Sequence, residues 1–226
     1  MNKDIFNRSI GLLGIDNFEL IQDKVIAIFG LGGVGGTALE ALARTGFKHF
    51  IIVDFDKVDA SNLNRQILYT AKDIGKEKVK VAKERILSIN EEADIKEYSI
   101  KAQDFDFNPK IDFIVDAIDD VDGKLFLIKK AQENNISSIV SLGMANRFNP
   151  EQVKVSKLNQ TRNDPLAKKI RYLAKKVGLD LSKINVVISE EVPQKNQEKL
   201  YSTMMVPSAA GLTIAKFILH SIIDNK

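Results

Sequence analysis

Short apolar runs rich in β-branched residues alternate along the chain with longer stretches in which apolar positions recur every three or four residues. The first pattern belongs to buried strands and the second to amphipathic helices. Strands are expected at Val25–Phe29, Phe50–Val53, Ile95–Ile100, Phe113–Ala117, Ser138–Leu142, Val153–Leu158 and Val186–Ser189. The clearest helices between them are Gly35–Thr45, stopped by Gly46, then Lys78–Ile89, Val121–Asn134, Pro165–Val177 with Asp164 as cap and Gly178 as stop, and Ser208–Ile222. Strand alternating with helix predicts an α/β fold, a Rossmann-like and mostly parallel sheet with crossover helices. After about Asn149 the alternation loosens. Residues 151–226 are therefore expected to complete a mixed sheet, so that 1–226 form a single domain of two halves, 1–150 and 151–226.

Composition narrows the chemistry. The chain has 226 residues and 44% hydrophobic content, enough for one buried core, and it contains no cysteine. That removes disulfides, thiolate zinc sites, iron–sulfur ligation and a catalytic thiol together. A cytoplasmic home is expected: the first thirty residues show no apolar stretch behind a basic start. The apolar segment Met204–Ile223 carries Pro207, Lys216 and His220, which fits a core helix better than a membrane span. The net charge of +3 conceals an asymmetry, since residues 151–226 hold 13 Lys/Arg against 7 Asp/Glu and residues 1–150 hold 20 against 23. A basic second half points to a polyanionic partner.

The sharpest motif is FGLGGVGGTALEAL, which follows the strand VIAIF and opens a helix. In that context Gly30, Gly32 and Gly35, with Gly33 between them, form a nucleotide fingerprint: the turn is tight, and backbone N–H groups at a helix N-terminus meet phosphate. Asp54, at the end of the next strand, is placed to accept ribose hydroxyls. NAD, FAD and ATP all satisfy this much.

The residues that follow favour a triphosphate. A dinucleotide's pyrophosphate is largely satisfied by the glycine turn, whereas a triphosphate carries about four charges and needs side-chain cations and a metal. Within VDFDKVDASNLNRQI, Arg65 offers a bidentate fork and Asn62 an amide. Lys78 lies in the first turn of its helix, where a cation opposes the helix dipole, and a residue set against its local preference suggests a ligand. The strand in IDFIVDAIDDVDG delivers Asp116, Asp119 and Asp120 at its carboxyl end, where open α/β sheets bind ligands. Asp119 is expected to bind Mg²⁺ and Asp120 to cap the next helix.

Taken together, GLGGVGG, VDFDKVDASNLNRQ, GKEKVKVAKERI and VDAIDD resemble the ThiF-like adenylating superfamily, which includes ubiquitin-activating enzymes. The resemblance implies a homodimer that adenylates a carboxylate at the α-phosphate of ATP. By position it implies a ribose contact for Asp54, phosphate contacts for Asn62, Arg65 and Lys78, a place in the ATP site for Asp56 and Gln66, Mg²⁺ on Asp119, and Arg8 on the γ-phosphate of the neighbouring subunit's ATP. Arg8, Arg65, Lys78 and Asp119 are its expected catalytic residues.

Three later stretches, SLGMANRFNPEQVKVSKLNQTRNDPLAKKIRYLAKKVG, SEEVP and PSAAGLTIAKFIL, are similar to the tRNA threonylcarbamoyladenosine dehydratase branch. Those enzymes activate the threonyl carboxylate of a modified adenosine beside the tRNA anticodon, and an intramolecular attack closes a ring with net loss of water. The chain is on the short side for that branch between Val187 and Pro207. Its lack of cysteine suits the branch, because relatives that pass an acyl group to a thiol or hold a CxxC zinc pair need sulfur. No zinc and no membrane association are expected.

The helix over Pro165–Val177 is the expected RNA-facing element. Leu166, Ile170, Leu173 and Val177 form its apolar stripe, and Lys168, Arg171, Lys175 and Lys176, with Lys169 at the edge, occupy the other side. Three rivals stand beside this reading: an adenylyltransferase of a ubiquitin-like sulfur-carrier protein, an NAD-dependent oxidoreductase, and a nucleotide-binding scaffold without catalysis. The polar stretch Glu190–Tyr201 reads equally as a cover over the substrate or as a plain connection.

Overall fold

The structure is a computed structural model that describes residues 5–194 and 200–224. Its elements in chain order are α1 (Asn7–Leu13), α2 (Ile15–Gln22), β1 (Val25–Phe29), α3 (Gly33–Thr45), β2 (His49–Val53), α4 (Lys78–Leu87), β3 (Asp94–Tyr98), β4 (Phe113–Asp116), α5 (Val121–Glu133), β5 (Ser137–Ser141), β6 (Val153–Lys157), α6 (Pro165–Lys176), β7 (Asn185–Ser189) and α7 (Met205–Ile223). All seven expected strands and five expected helices are present, with ends shifted by at most three residues.

The strands join in one sheet of order β3-β2-β1-β4-β5-β7-β6, parallel except for β6, which runs antiparallel to β7. Strands from both halves of the chain thus share one mixed sheet. Alternation along the strands explains the layers. Ile26 and Ile28 of β1 pack with Leu39 and Leu42 of α3 and Ile214 of α7, while Ala27 and Phe29 face the opposite side with Leu127 and Ala131 of α5. A third apolar cluster seats Ala167 and Ile170 of α6 against Val186 and Ile188 of β7. Winding proceeds outward from β1 to β2 and β3, then reverses from β4 to β5. Right-handed crossovers in opposite directions put α3 and α5 on opposite faces and open a crevice above the carboxyl ends of β1 and β4.

Local signals behave as the sequence suggests. Asp120 caps α5, accepting from Gly123 N at 2.7 Å, and Asp164 caps α6, accepting from Ala167 N at 3.0 Å. Gly46, at φ +123°, ends α3. Pro207 falls in the first turn of α7, where its missing N–H has no intrahelical acceptor, so the helix begins three residues before Ser208. By length and composition α7 could cross a membrane, but Val206, Ala210, Gly211, Ile214 and Ile218 are buried in the protein.

The short helices α1 and α2 were not expected. They carry Phe6, beside α1, and Phe18 into the core with ring centroids 5.6 Å apart. On α6 the buried stripe is Ala167, Ile170 and Ala174, so Leu166 and Leu173 lie at its border. Val177 corrects the expected stripe, being 61% exposed just beyond the last helical residue.

Candidate functional site

A cleft of about 640 Å³ opens at the switch between β1 and β4. Its floor is the glycine turn. Gly30 donates to Val53 O at 2.8 Å and holds φ +87°, and a Cβ there would lie 2.7 Å from the Ala117 carbonyl oxygen. Only glycine combines that left-handed backbone with so close an approach to β4. Gly32 starts α3 without any side-chain cap, so the first N–H groups of the helix, at Gly33 and Val34 on the cleft wall, are left for a ligand. Gly35 does not line the cleft, contrary to its assignment as a binding residue. A Cβ on it would meet the Gly30 carbonyl oxygen at 1.9 Å, so its part is to let helix and turn close-pack.

Asp54 ends β2 on the same edge. Its Oδ2 accepts from Leu31 N at 2.7 Å and its Oδ1 from Asp56 N at 2.9 Å, which fixes the carboxylate beside the glycine turn. Burial pushes its carboxyl up, against the opposing pull of the Lys78 charge and the two backbone N–H groups. Tyr69 donates to Leu31 O at 2.9 Å and braces the turn from below.

The cationic wall comes from the segment after β2. Asp59 accepts from Ser61 N at 2.8 Å, and Asn62 Oδ1 accepts from Asp59 N at 3.1 Å, closing a capped turn over Ala60–Asn62. That turn projects Arg65, whose Nη1 donates to Ser61 O at 2.7 Å and to Asn64 Oδ1 at 2.9 Å. Gln66 is buried, and its Oε1 has no hydrogen-bond partner within the protein although the residue lines the cleft. Such an orphaned acceptor calls for a donor from a ligand or water. Lys78 is 5% exposed, and its Nζ lies 2.8 Å from Asp56 Oδ2.

Opposite stands the end of β4. Asp116 is fully buried and paired with Lys124, equally buried, at 2.8 Å; Lys124 also donates to Ser141 O at 2.8 Å and so ties β4 to β5. Burial pushes the Asp116 carboxyl up and the Lys124 charge opposes it. Asp119, exposed at the cleft edge, forms no hydrogen bond or ion pair among the described residues. Asp120 is spent on capping α5 and accepts from Gln103 Nε2 at 2.9 Å.

The fold therefore brings Gly30, Gly32, Gly33, Asp54, Asp56, Asn62, Arg65, Gln66, Lys78 and Asp119 to one cleft. Arg8, on the exposed side of α1, is not among its lining residues. Several lining groups lay outside the expectations. Phe55 stands between Asp54 and Asp56 with Lys101 Nζ 5.9 Å from its ring centre, Met144 and Ala145 come from the loop after β5, and Ser202 comes from the second half. On α6, Lys168, Lys175 and Lys176 are exposed as expected, whereas Arg171 turns inward, donating through Nη1 to Thr161 O at 2.9 Å and to the Thr161 hydroxyl.

Residues 6–173 match the ThiF family. The chain belongs to that family. Among relatives of this ThiF-family chain, the tRNA threonylcarbamoyladenosine dehydratase of Bacillus subtilis is 30% identical over 242 residues, covering 97% of this chain and 95% of that protein. The Escherichia coli protein of the same name is 34% identical over 174 residues, 74% of this chain and 63% of the relative. The crystal structure of the E. coli enzyme in complex with ATP superposes with a TM-score of 0.92 at 29% identity, covering 99% of this chain and 95% of that one. The ThiF match stops within α6, but the B. subtilis alignment and this superposition extend the likeness through nearly the whole chain.

Proposed function

We propose that the chain is an ATP-dependent tRNA threonylcarbamoyladenosine dehydratase. The observation that carries this reading is the gathering of an uncapped helix N-terminus, Asp54, Arg65, Lys78 and Asp119 in one cleft, in a chain similar over almost its full length to a dehydratase crystallised with ATP. In the proposed reaction the threonyl carboxylate attacks the α-phosphate of ATP and pyrophosphate leaves. The resulting acyl adenylate is closed by a nucleophile of the same nucleoside, which releases AMP with net loss of one water. Adenylation turns a poor electrophile into a good one, and proximity within one nucleoside supplies the ring closure.

The residues divide this work. Asp54, already held by two backbone donors, receives the ribose; the first N–H groups of α3 with Asn62, Arg65 and Lys78 neutralise the phosphates. Asp119, a carboxylate at the cleft edge without a partner among the described residues, fits Mg²⁺, a hard cation that keeps several waters and needs few protein ligands. That ion would neutralise phosphate charge when bound. Arg8, outside its own cleft, fits donation to a neighbouring protomer's ATP, so we read the enzyme as a cytoplasmic homodimer whose two halves work as one domain.

The NAD reading is weakened by its missing proton donor: His49 and His220 pair with Asp94 and Asp224 at 3.3 and 3.2 Å, and neither lines the cleft. The decisive assay incubates the protein with ATP, Mg²⁺ and tRNA carrying threonylcarbamoyladenosine, then digests the RNA. A nucleoside lighter by one water is expected, and an unchanged nucleoside beside an active control would overturn the proposal. Charge reversal of Lys168, Lys175 and Lys176 should weaken tRNA binding and flatten its salt dependence, since each lost phosphate contact lowers the slope by about one. Unchanged affinity and slope would make α6 a solvated face only.

A further inference from the structure

We propose that Phe148 and Tyr201 form a stacking platform, at the mouth of the cleft, for unpaired bases of the anticodon loop. The proposal rests on the tRNA reading above. Phe148 is 63% exposed and Tyr201 57%, and Val192, on the segment between them, is 57% exposed. A single exposed apolar residue needs no explanation, but these three sit on segments joined in one clasp.

Its centre is Asn146, held in the left-handed region at φ +58°. Asn146 N donates to Tyr201 O at 2.7 Å, its Oδ1 accepts from Tyr201 N at 2.8 Å, and its backbone carbonyl accepts from Gln194 N at 2.9 Å. Glu191 Oε2 accepts from Phe148 N at 2.9 Å and Asn149 N at 2.8 Å. Beneath them the buried Arg147 donates through Nε to Glu191 O at 3.0 Å. Five hydrogen bonds and a buried cation thus pin the backbone on which the rings stand. Neither ring stacks on another aromatic ring among the described residues. Rigid loops that present bare rings are built for a partner.

The place and the charge point to single-stranded RNA. Met144 and Ala145, just before Asn146, and Ser202, just after Tyr201, line the cleft, so the rings flank the entrance a nucleoside must use. A second groove of about 360 Å³, lined by Lys154, Gln160, Arg162, Asn163 and Glu190, adjoins the clasp through Glu190, the residue before Glu191. Arg162 has no hydrogen bond or ion pair among the described residues, and Lys154 pairs with Glu190 at 2.6 Å. Aromatic faces beside cations are the combination that holds unpaired bases and their phosphates.

The test uses the full chain, its AMP affinity as a measure of folding, and a threonylcarbamoyladenosine anticodon stem-loop with 2-aminopurine beside the modified base. Wild-type binding should quench the fluorophore. Phe148→Ala and Tyr201→Ala should each weaken RNA binding about tenfold and lose the quench, with salt slope and AMP affinity unchanged, because stacking releases no counterions. Phe148→Tyr and Tyr201→Phe should bind within about twofold of wild type. Wild-type affinity and quench in both alanine variants would overturn the platform while leaving the dehydratase intact. So would a change in sedimentation in place of a change in RNA affinity, which would assign the rings to a second copy of the chain. A wild-type protein that leaves the modified tRNA unchanged sinks both readings.

Discussion

Alanine in place of Arg65 is expected to lower turnover on threonylcarbamoyladenosine-tRNA by a hundredfold or more, on the order of 3 kcal/mol of lost charge stabilisation. The fold should survive, because the Arg65 turn is held by its own backbone: Arg65 N and Gln66 N both donate to Asn62 O, at 3.1 and 3.0 Å. The acceptors that Arg65 leaves behind, Ser61 O and Asn64 Oδ1, belong to exposed residues that water can reach. Steady-state kinetics beside a thermal melt separate the two effects. Turnover within tenfold of wild type, with an unchanged melt, would place Arg65 outside the chemistry and leave the phosphates to Asn62, Lys78 and the start of α3.

The second large effect is on stability. Lys124→Met leaves the Asp116 carboxylate buried without the ammonium at its Oδ1, while its Oδ2 already lacks a hydrogen-bond partner, and strips Ser141 O of its side-chain donor. Breaking a buried pair by removing one partner costs roughly 3–5 kcal/mol, and Asp116→Asn on top of Lys124→Met should recover much of it. The pH dependence carries the sign of the cause. Burial raises the Asp116 carboxyl and Lys124 opposes that rise, so deleting Lys124 raises it further. A carboxyl raised in the folded state binds more protons there than in the unfolded chain. The deficit of Lys124→Met should therefore shrink as pH falls from 7 towards 5, and Asp116→Asn/Lys124→Met should lose that dependence. Urea unfolding at the two pH values measures both; a deficit that grows with acidity would contradict the burial argument.

Much of the fold was legible because each strand and helix carries its own local signal. Runs such as VIAIF and FIVD are apolar on both faces and short, and the caps Asp120 and Asp164 stand where the periodicity begins. The helices α1 and α2 escaped because seven and eight residues give too few turns for a periodic stripe, and Gly14 breaks what pattern there is. In the cleft, every residue tied to the glycine turn by motif spacing arrived except Gly35, whose role is packing; Arg8, expected at a neighbouring subunit's ATP, lies outside this cleft. What the sequence hid was long-range contact. Met144, Ala145 and Ser202 reach the cleft only because β5 and β7 return to its side, and Arg171 was lost to Thr161, ten residues earlier in the chain. No periodicity reports which cation will find an acceptor across a turn.

The ion pair between Lys78 and Asp56 also changes what phosphate binding means here. A buried ammonium facing an anion site would be costly to leave bare, and it points against the helix dipole of α4 as well. Asp56, half-exposed at the cleft wall, acts as a resident counter-ion that an arriving phosphate must displace or share. Binding is then an exchange of anions rather than a capture by a naked cation. Such an exchange favours the more highly charged competitor, so a triphosphate gains over a diphosphate or a dinucleotide through its extra charge alone.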